Sequence, residues 1–470
     1  MSRHPFAAVN LISDPIHGYI ELTKRLADAE AAEAGLPAEA AAEQDLLDSA
    51  WLQRMRRISQ LQSARWVFPT AEHSRFTHGL GVMHEAGLWA RHLYPSLVSE
   101  LRSTGPAGEP VPSEGLVVET LRVAGLVHDV GHGPFAHFFD DHVLRAFPAP
   151  ADERRSTDKR LTHEDLSQLV IERELGSTIS ALRRAPGAVA ERDAFAPGES
   201  IDPRWVAFLV SKPALADPSM PRWVRILQPL LSGVFTVDNL DYVRRDAYLT
   251  GVSTGPVDVE RLRRYTFIGP HGLTIYEPGL GSLEVFLSAR LFLYQQVYFH
   301  RTVRAIDLDL AEVFAPSVAA IFGDRSPVES LSAYADLDEY ALLHQAALWS
   351  RGEAVADDPR PGDGRVSPAI AAGWRAILLR RPRWRSEAEV RLSYETSPPS
   401  AELAALGEPE PGRVVIDLAA VDARPADATA TDSLLAVEGR DGQPAAPLSR
   451  RLERLPAWSL IARRYRRVVD

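Results

Sequence analysis

Residues 115–142 constrain the fold of this chain more than any other segment. The first part, residues 115–127, is largely apolar and has the length of a helix, so we expect it to lie in a protein core. The second part packs imidazoles and carboxylates closely together: His128, Asp129, His132, His137, Asp140 and Asp141. A charged side chain that enters a core without a partner costs several kcal/mol. The segment therefore predicts a buried helix that ends in a polar site.

Two interpretations fit a polar cluster at the end of a buried helix. The first is a hydrogen-bonded network that caps the helix. The second is a site for a divalent cation or a phosphate group, because imidazoles and carboxylates together form common metal-ligand sets. The adjacent pair His128–Asp129, followed by further polar side chains, favours the second interpretation.

The composition of the 470 residues limits the chemistry of such a site. The chain has no cysteine, which excludes disulfides and thiolate ligands and leaves histidine, carboxylates and water to hold a metal. The net charge of −11 argues against an extended nucleic-acid surface, which needs dense positive charge. No run of about 18 apolar residues is present, and the N-terminus has no apolar leader. We therefore expect a cytoplasmic protein that does not span a membrane.

Helical periodicity dominates the chain up to about residue 350, so we expect a mainly α fold. A short hairpin is expected at residues 10–22. Helices are expected at 25–47, at 48–57 with Asp48 as N-cap, and at 77–101, 115–129, 163–175, 236–250 and 282–318. Residues 351–366 are polar and rich in proline and glycine, which indicates a boundary between a core at 1–350 and a C-terminal α+β region at 367–470. That region has two strand-like segments, a short helix near 447–457 and a strand-like end.

Two further segments carry polar side chains at helical spacing. The first is HSRFTHG at residues 73–79, with His73, Arg75 and His78. The second is TVDNLDYVRRD at residues 236–246, with Asp238, Asp241, Tyr242 and Asp246. On a helix, side chains three and four residues apart share a face. Such a face is often solvated surface, and the apolar side chains between these residues leave open which face is buried.

The segments RFTHG, HDVGHGPFAH and VDNLDYVRRD, in this order, resemble the HD superfamily. The resemblance is to its deoxynucleoside triphosphate triphosphohydrolase branch, which includes dGTPases and SAM-and-HD-domain dNTPases. It extends from residue 14 to about residue 303 and continues weakly beyond. It implies a helical HD-domain core and hydrolysis of a dNTP to deoxynucleoside and inorganic triphosphate.

The resemblance also implies roles for individual residues. Metal ligands would be His78, His128, Asp129 and Asp238, and this set suits Mn, Fe, Mg or Zn. The catalytic group would be His163, oriented by Asp140 and accompanied by His132. The substrate would be bound by Gln60, Arg75, His137, Tyr242, Asp246, Arg290 and Tyr298. In this family the tyrosine packs against the ribose 2′ carbon, which implies discrimination against ribonucleotides.

One position departs from the family pattern in a way that bears on the substrate. Many relatives carry Lys or Arg directly after the metal-binding Asp, whereas this chain has Asn239. One cation is thereby removed from the phosphate pocket. A deoxynucleoside mono- or diphosphate is therefore the alternative substrate.

The resemblance further implies a homo-oligomer, commonly a tetramer, that a guanine nucleotide activates. The matching residues are Asp48, Gln53, Arg56, Arg261, Arg381 and Arg385, while Asn10 stands where the family enzyme has Lys. The alternative for Asp48 and Arg56 is a helix cap and an ordinary surface arginine.

Four other functions are less consistent with the sequence. A cyclic-dinucleotide phosphodiesterase would carry a GYP signature downstream of its HD pair, but only HGY at 17–19 occurs, upstream of it. An alarmone hydrolase would lack the VDNLDY and HGPFAH segments. A nucleotide sensor without turnover would be favoured by loss of a metal ligand, and all four are present. A nucleic-acid binder conflicts with the acidic charge.

Overall fold

The computed structural model of the chain describes the residues in the following ranges: 8–33, 35–37, 39–106, 108–151, 159–187, 193–211, 217–423, 436–439, 452 and 455–468. The fold is mainly α with a smaller C-terminal β region, which confirms the predicted fold class. None of the helices in these ranges is long and apolar enough to cross a membrane.

Nineteen helices occur in the described part of the chain. They are α1 (Asp28–Glu33), α2 (Glu43–Leu47), α3 (Ala50–Arg54), α4 (Arg75–Thr104), α5 (Glu114–Val127), α6 (His137–His142), α7 (His163–Arg173), α8 (Gly176–Ala181), α9 (Pro203–Val210), α10 (Arg222–Leu227), α11 (Pro229–Ser232), α12 (Val237–Thr250), α13 (Val259–Arg264), α14 (Leu280–Leu293), α15 (Arg301–Phe322), α16 (Leu331–Asp336), α17 (Glu339–Ser350), α18 (Pro368–Leu378) and α19 (Ser400–Ala404). Shorter 3₁₀ turns include Met55–Arg57 and Gln62–Trp66.

Eight strands in the described ranges form three small sheets. They are β1 (Val9–Asp14), β2 (Gly18–Thr23), β3 (Thr266–Gly269), β4 (Gly272–Tyr276), β5 (Trp384–Tyr394), β6 (Val414–Asp422), β7 (Ala436–Glu438) and β8 (Trp458–Arg467). β1 and β2 are the predicted antiparallel hairpin. The other sheets have the orders β3-β4-β7 and β5-β8-β6. The two internal strands expected in the C-terminal region are confirmed as β5 and β6, whereas the strand expected at residues 466–470 coincides with β8 only at Arg466 and Arg467.

The core forms around α5, which is buried at every one of its residues. Two glycines let α4 and α5 approach closely. A Cβ at Gly79 would lie 3.1 Å from the carbonyl oxygen of Leu126, and one at Gly125 would lie 2.9 Å from that of Val82. Larger side chains there would push the two helices apart. The close approach brings the start of α4 next to the end of α5, where the site lies.

The structure corrects two helix predictions and leaves a third mostly outside the described residues. Residues 25–47 do not form one helix, because the left-handed Gly35 and then Pro37 separate α1 from α2. The helix expected over 282–318 is interrupted by a π turn at Tyr294–Tyr298, and α15 restarts at Arg301. The short helix expected near 447–457 falls mostly outside the described residues.

The predicted N-cap at Asp48 is also wrong. Asp48 ends α2, and the hydroxyl of the next residue, Ser49, accepts from the backbone N–H of Leu52 to cap α3. Either residue type can cap a helix, so the local pattern did not distinguish them.

The division of the chain at residues 351–366 stays a prediction. The segment is an irregular connection between α17 and α18. Trp374 of α18 packs in the same apolar cluster as α5.

Candidate functional site

Four predicted ligands from three helices meet at one point. His78 lies in the first turn of α4, His128 and Asp129 follow α5, and Asp238 lies in the first turn of α12. Asp238 Oδ1 is 3.2 Å from His78 Nε2 and 3.8 Å from His128 Nε2. Ligand atoms of His78, His128 and Asp129 lie within 4.8 Å of one another. The spacing is compact enough for one ion to reach all four side chains.

The second ring nitrogen of each histidine has a partner behind the site. His78 Nδ1 lies 2.8 Å from Asp241 Oδ2, and His128 Nδ1 lies 2.8 Å from the carbonyl oxygen of Gly125. Each Nδ1–H can donate there, which leaves Nε2 as the ligand atom on the side of the carboxylates. Two imidazoles and two carboxylates therefore fit a divalent cation, without choosing among Mn, Fe, Mg and Zn.

Without a metal ion, the pKa values of two of the predicted ligands differ strongly from their ordinary values. Burial opposes the charged form of His78, but the carboxylates of Asp238 and Asp241 outweigh it and raise its pKa to about 9. Burial also opposes the charged form of Asp129, yet His128, Arg75 and His132 hold the pKa of its carboxyl well below the usual range. Since a ligand imidazole must be neutral, a metal ion competes with a proton at His78.

A second cluster of three imidazoles lies beside the ligands. The rings of His132 and His163 stack with their centres 3.6 Å apart, and the ring of His137 packs edge-on to both. His163 Nδ1 lies 2.5 Å from Asp140 Oδ2, and His137 Nδ1 lies 3.4 Å from the same oxygen. His132 lies between the two clusters, with Nε2 3.5 Å from Asp129 Oδ1.

In the second cluster, the pKa values of two histidines are shifted in opposite directions. Burial works against the charged form of His163, but Asp140 and Glu164 outweigh it and raise its pKa to about 9. Burial, Arg75 and the charge on His163 keep the pKa of His132 well below its ordinary value. Near neutral pH the pair therefore contains one imidazolium, at His163, and one neutral imidazole.

A strained turn places His137, and sequence reasoning did not anticipate what holds it. Phe135 and Ala136 have φ values of 60° and 48°, a left-handed conformation that non-glycine residues rarely adopt. The buried carboxylate of Glu339 accepts from the backbone N–H of Phe135 at 3.2 Å. Arg54, also buried, donates to the carbonyl oxygen of His132 at 2.6 Å. No local sequence signal marks either residue.

A cavity of about 420 Å³ opens next to both clusters. It brings together most of the predicted site: Gln60, Arg75, Asp129, His137, His163, Asp238, Tyr242, Asp246, Arg290 and Tyr298. Arg75 is buried and forms an ion pair with Asp129, so its guanidinium lies at the metal-site end of the cavity. Asn239 lines the cavity as well.

Helix α12 carries the opposite wall of the cavity. Asp238, Tyr242 and Asp246 follow one another at single-turn spacing on one face, as predicted. The hydroxyl of Tyr242 accepts from Arg290 Nε at 3.0 Å. Asp246 Oδ1 lies 2.8 Å from His73 Nε2, and Tyr298 donates to Asp246 Oδ2 at 2.5 Å.

The far part of the cavity holds polar side chains that the sequence did not single out. Ser63 donates to Asp307 at 2.5 Å, and Arg304 donates to the same carboxylate at 3.1 Å. Burial raises the pKa of the Asp307 carboxyl.

None of the predicted regulatory residues lines this cavity, and all of them except the half-buried Gln53 are exposed. Gln53 and Arg56 share a face and bond to each other at 2.9 Å, and Arg56 stacks over Phe76. Asp48 is exposed, and Asn10 donates to Gln44 at 3.2 Å. Within the described ranges, Asp48, Gln53 and Arg56 make no hydrogen bond to the three predicted phosphate-binding arginines, Arg261, Arg381 and Arg385.

Part of the site lies within a known domain, whose match includes His78, His128 and Asp129 but not Asp238. Residues 75–189 match the HD domain family model. The chain is 27% identical over 365 residues to the uncharacterised protein YwfO of Bacillus subtilis, covering 74% of this chain and 68% of that protein. It is 28% identical over 347 residues to the deoxynucleoside triphosphate triphosphohydrolase SAMHD1 of Gallus gallus, covering 71% of this chain and 50% of that one. This chain therefore spans about half the length of the named dNTPase relative.

Solved structures share the fold over nearly the whole chain. A hypothetical protein from Aquifex aeolicus superposes with a TM-score of 0.65 at 22% identity, covering 98% of this chain and 96% of its own. A phosphohydrolase from Bacteroides thetaiotaomicron gives a TM-score of 0.63 at 19% identity, covering 98% and 100%.

The fold and the paired histidine–aspartate site define a metal-dependent HD-domain phosphohydrolase. Within that class, the chain is similar to SAMHD1-type deoxynucleoside triphosphate triphosphohydrolases, at 25–28% identity over 65–71% of its length.

Proposed function

We propose that this protein hydrolyses a deoxynucleoside triphosphate to the deoxynucleoside and inorganic triphosphate. The observation that carries the proposal is the single cavity that joins Asp129 and Asp238 to Tyr242 and Asp246. A phosphate chain and a deoxyribose can then be bound at the same time. The names of the SAMHD1 relatives support this choice of substrate.

At one end of the cavity, protein groups suit the phosphates. Arg75 is a buried donor beside Asp129, and the exposed His137 lines the same cavity. Arginine suits phosphate because its planar fork of N–H groups matches two oxygens. A divalent ion held by the four ligands would supply a Lewis acid that polarises a phosphoryl oxygen.

His163 is suited to give a proton to the leaving oxygen. Its pKa of about 9 keeps the imidazole charged near neutral pH, and Asp140 holds Nδ1. The remaining nitrogen, Nε2, can therefore present its proton to the 5′ oxygen of the deoxynucleoside as the P–O bond breaks. Asp140 then stabilises the orientation of the ring and does not itself react.

At the other end, α12 suits a deoxyribose. Burial keeps the pKa of the Tyr242 phenol well above its usual range, and Arg290 holds its oxygen. A ring fixed in this way would pack against the 2′ carbon of a deoxyribose and would oppose a 2′-hydroxyl group there. Asp246 can accept a hydrogen bond from the 3′-hydroxyl group of the sugar. Its carboxylate also contacts His73 and Tyr298.

Product analysis tests the proposal. The purified protein is incubated with each dNTP and Mn²⁺, and the products are separated by ion-exchange chromatography. We expect deoxynucleoside and triphosphate in equal amounts as first products. Pyrophosphate or orthophosphate as the first product would contradict attack at the α-phosphorus. Glu174→Gln, at the exposed far end of α7, is the matched control and should retain the activity of the unmodified protein.

Asn239 supports a second candidate, a deoxynucleoside mono- or diphosphatase. It lines the cavity directly after Asp238, where many relatives would offer a cation to a longer phosphate chain. If dNMP or dNDP is the better substrate, Asn239→Lys should shift the preference towards dNTP. A preference for dNTP in the unmodified protein would reject this candidate.

Regulation and assembly are part of the proposal. Gln53 and Arg56 present neighbouring polar groups at the surface, and Asp48 precedes their helix. In a homo-oligomer, commonly a tetramer, a guanine nucleotide could bind between these residues and the arginines of a second copy. Nucleotide binding would then favour assembly by mass action. We propose the cytoplasm, where dNTPs are consumed, as the location.

A further inference from the structure

The tip of the N-terminal hairpin reaches the polar groups behind the metal site. It lies outside the HD domain match, which begins at residue 75. Asp14 Oδ1 accepts from the backbone N–H groups of Ile16 and His17, both at 2.9 Å, and these bonds fix the turn. Asp14 Oδ2 accepts from Arg245 on α12 at 2.8 Å. The turn is therefore attached to the helix that carries Asp238.

His17 projects from this turn onto Asp241. Its Nε2 lies 2.6 Å from Asp241 Oδ1, and the side chains are only 2% and 0% exposed. The second oxygen, Oδ2, lies 2.8 Å from Nδ1 of the metal ligand His78. Arg245 donates to both oxygens, at 2.8 and 2.9 Å. Asp241 thus joins the hairpin directly to a metal ligand.

Helix α4 leaves room for the contact between His17 and Asp241. A Cβ at Gly81 would lie 1.9 Å from Asp241 Oδ1, so only glycine lets α4 pass this close to the carboxylate. One turn further along α4, Glu85 lies 3.6 Å from His17 Nδ1, and the ring of His84 is 5.0 Å away. His17 is therefore enclosed and has few other orientations available.

We propose that His17 is a positioning residue for the metal site. It holds the Asp241 carboxylate in the orientation that accepts from His78 Nδ1, and so keeps His78 Nε2 directed at the ion. Partners of this kind orient ligand imidazoles and fix their tautomer, and their loss typically weakens metal binding about 10- to 100-fold. The proposal rests on the proposed metal site at His78.

Metal affinity tests this role without any activity assay. The full chain is stripped with a chelator and titrated with Mn²⁺ in a calorimeter. Because His17 acts through Asp241, we expect His17→Ala to weaken binding about tenfold, the lower end of that range. His17→Gln keeps an N–H donor and should recover most of the affinity. The control is Tyr19→Ala, on the same hairpin, 66% exposed, which should bind as the unmodified protein does.

The outcomes separate the two proposals. If the unmodified chain binds no Mn²⁺ and no Fe, Mg or Zn ion, the metal site itself is wrong and this role with it. If it binds and His17→Ala binds equally well, only the role of His17 is overturned, even if the variant melts at a lower temperature. If His17→Ala does not fold, His17→Leu, whose side chain has a similar bulk, is measured instead. Equal Mn²⁺ affinities of His17→Leu and His17→Gln would then overturn the role of His17.

Discussion

Replacing Asp140 by asparagine tests the assignment of His163 as a proton donor. The two side chains are buried, with Nδ1 of His163 2.5 Å from the Asp140 carboxylate. Asparagine keeps the size and an oxygen acceptor at this position but removes the negative charge. We expect the pKa of His163 to fall from about 9 towards its ordinary value of 6.5, because burial then acts with less opposition.

The size of the effect follows from the shift of the histidine pKa. A change from 6.5 to about 9 is about 2.5 units, and each unit corresponds to about 1.4 kcal/mol, so protonated His163 with its carboxylate partners stabilises the fold by about 3.5 kcal/mol. A raised histidine pKa contributes stability that is fully present below 6.5 and is lost as the pH rises through about 9. Asp140→Asn should therefore destabilise the protein most below about pH 6.5, less at neutral pH, and little above the folded-state pKa.

Two measurements on metal-free protein check this expectation. Proton NMR of the imidazole signals gives the pKa of His163 directly, and urea unfolding at neutral and at alkaline pH gives the stability difference. The control is Glu174→Gln, which removes a carboxylate from the exposed end of the same helix. If His163 titrates near 6.5 in the unmodified protein, the assignment of a charged donor is refuted. If its pKa is the same in Asp140→Asn, Asp140 is refuted as the main cause of the raised pKa.

Three further predictions follow from other contacts. Gly81→Ala places a methyl group against Asp241 Oδ1, so the free energy of unfolding should fall by about 1–3 kcal/mol in urea titrations; unchanged stability would contradict that contact. Tyr242→Ala should raise the turnover of GTP relative to dGTP, whereas equal rates on both in the unmodified protein would reject selection against the 2′-hydroxyl. GTP should increase the mass measured by light scattering, and the double variant Gln53→Ala, Arg56→Ala should lose this response. A mass that ignores GTP would leave those two residues as surface groups.

The local parts of the fold were predictable from the sequence. The apolar run at residues 115–127 became the buried helix α5, and the hairpin at residues 10–22 became β1 and β2. Both depend on periodicity and turn residues within one segment. Asp48 and Ser49 show the limit, because two adjacent capping residues compete and only packing decides which of them begins the helix.

The meeting of distant segments was not predictable from local patterns. The resemblance named His78 and Asp238 as partners, and the structure places them 3.2 Å apart. It also brings His17 to Asp241, 224 residues along the chain, and Glu339 to the turn at Phe135, 204 residues away. Such contacts depend on how helices cross, and no spacing in the sequence encodes them.

Metal analysis of the purified protein tests the assignment of His78, His128, Asp129 and Asp238 most directly. Elemental mass spectrometry is applied to the unmodified chain and to His128→Ala, after circular dichroism has shown that both are folded. We predict that the unmodified chain holds a divalent ion in stoichiometric amount, and that His128→Ala loses both the ion and the hydrolysis of dNTP. A folded His128→Ala variant with unchanged metal content and unchanged hydrolysis would contradict the assignment.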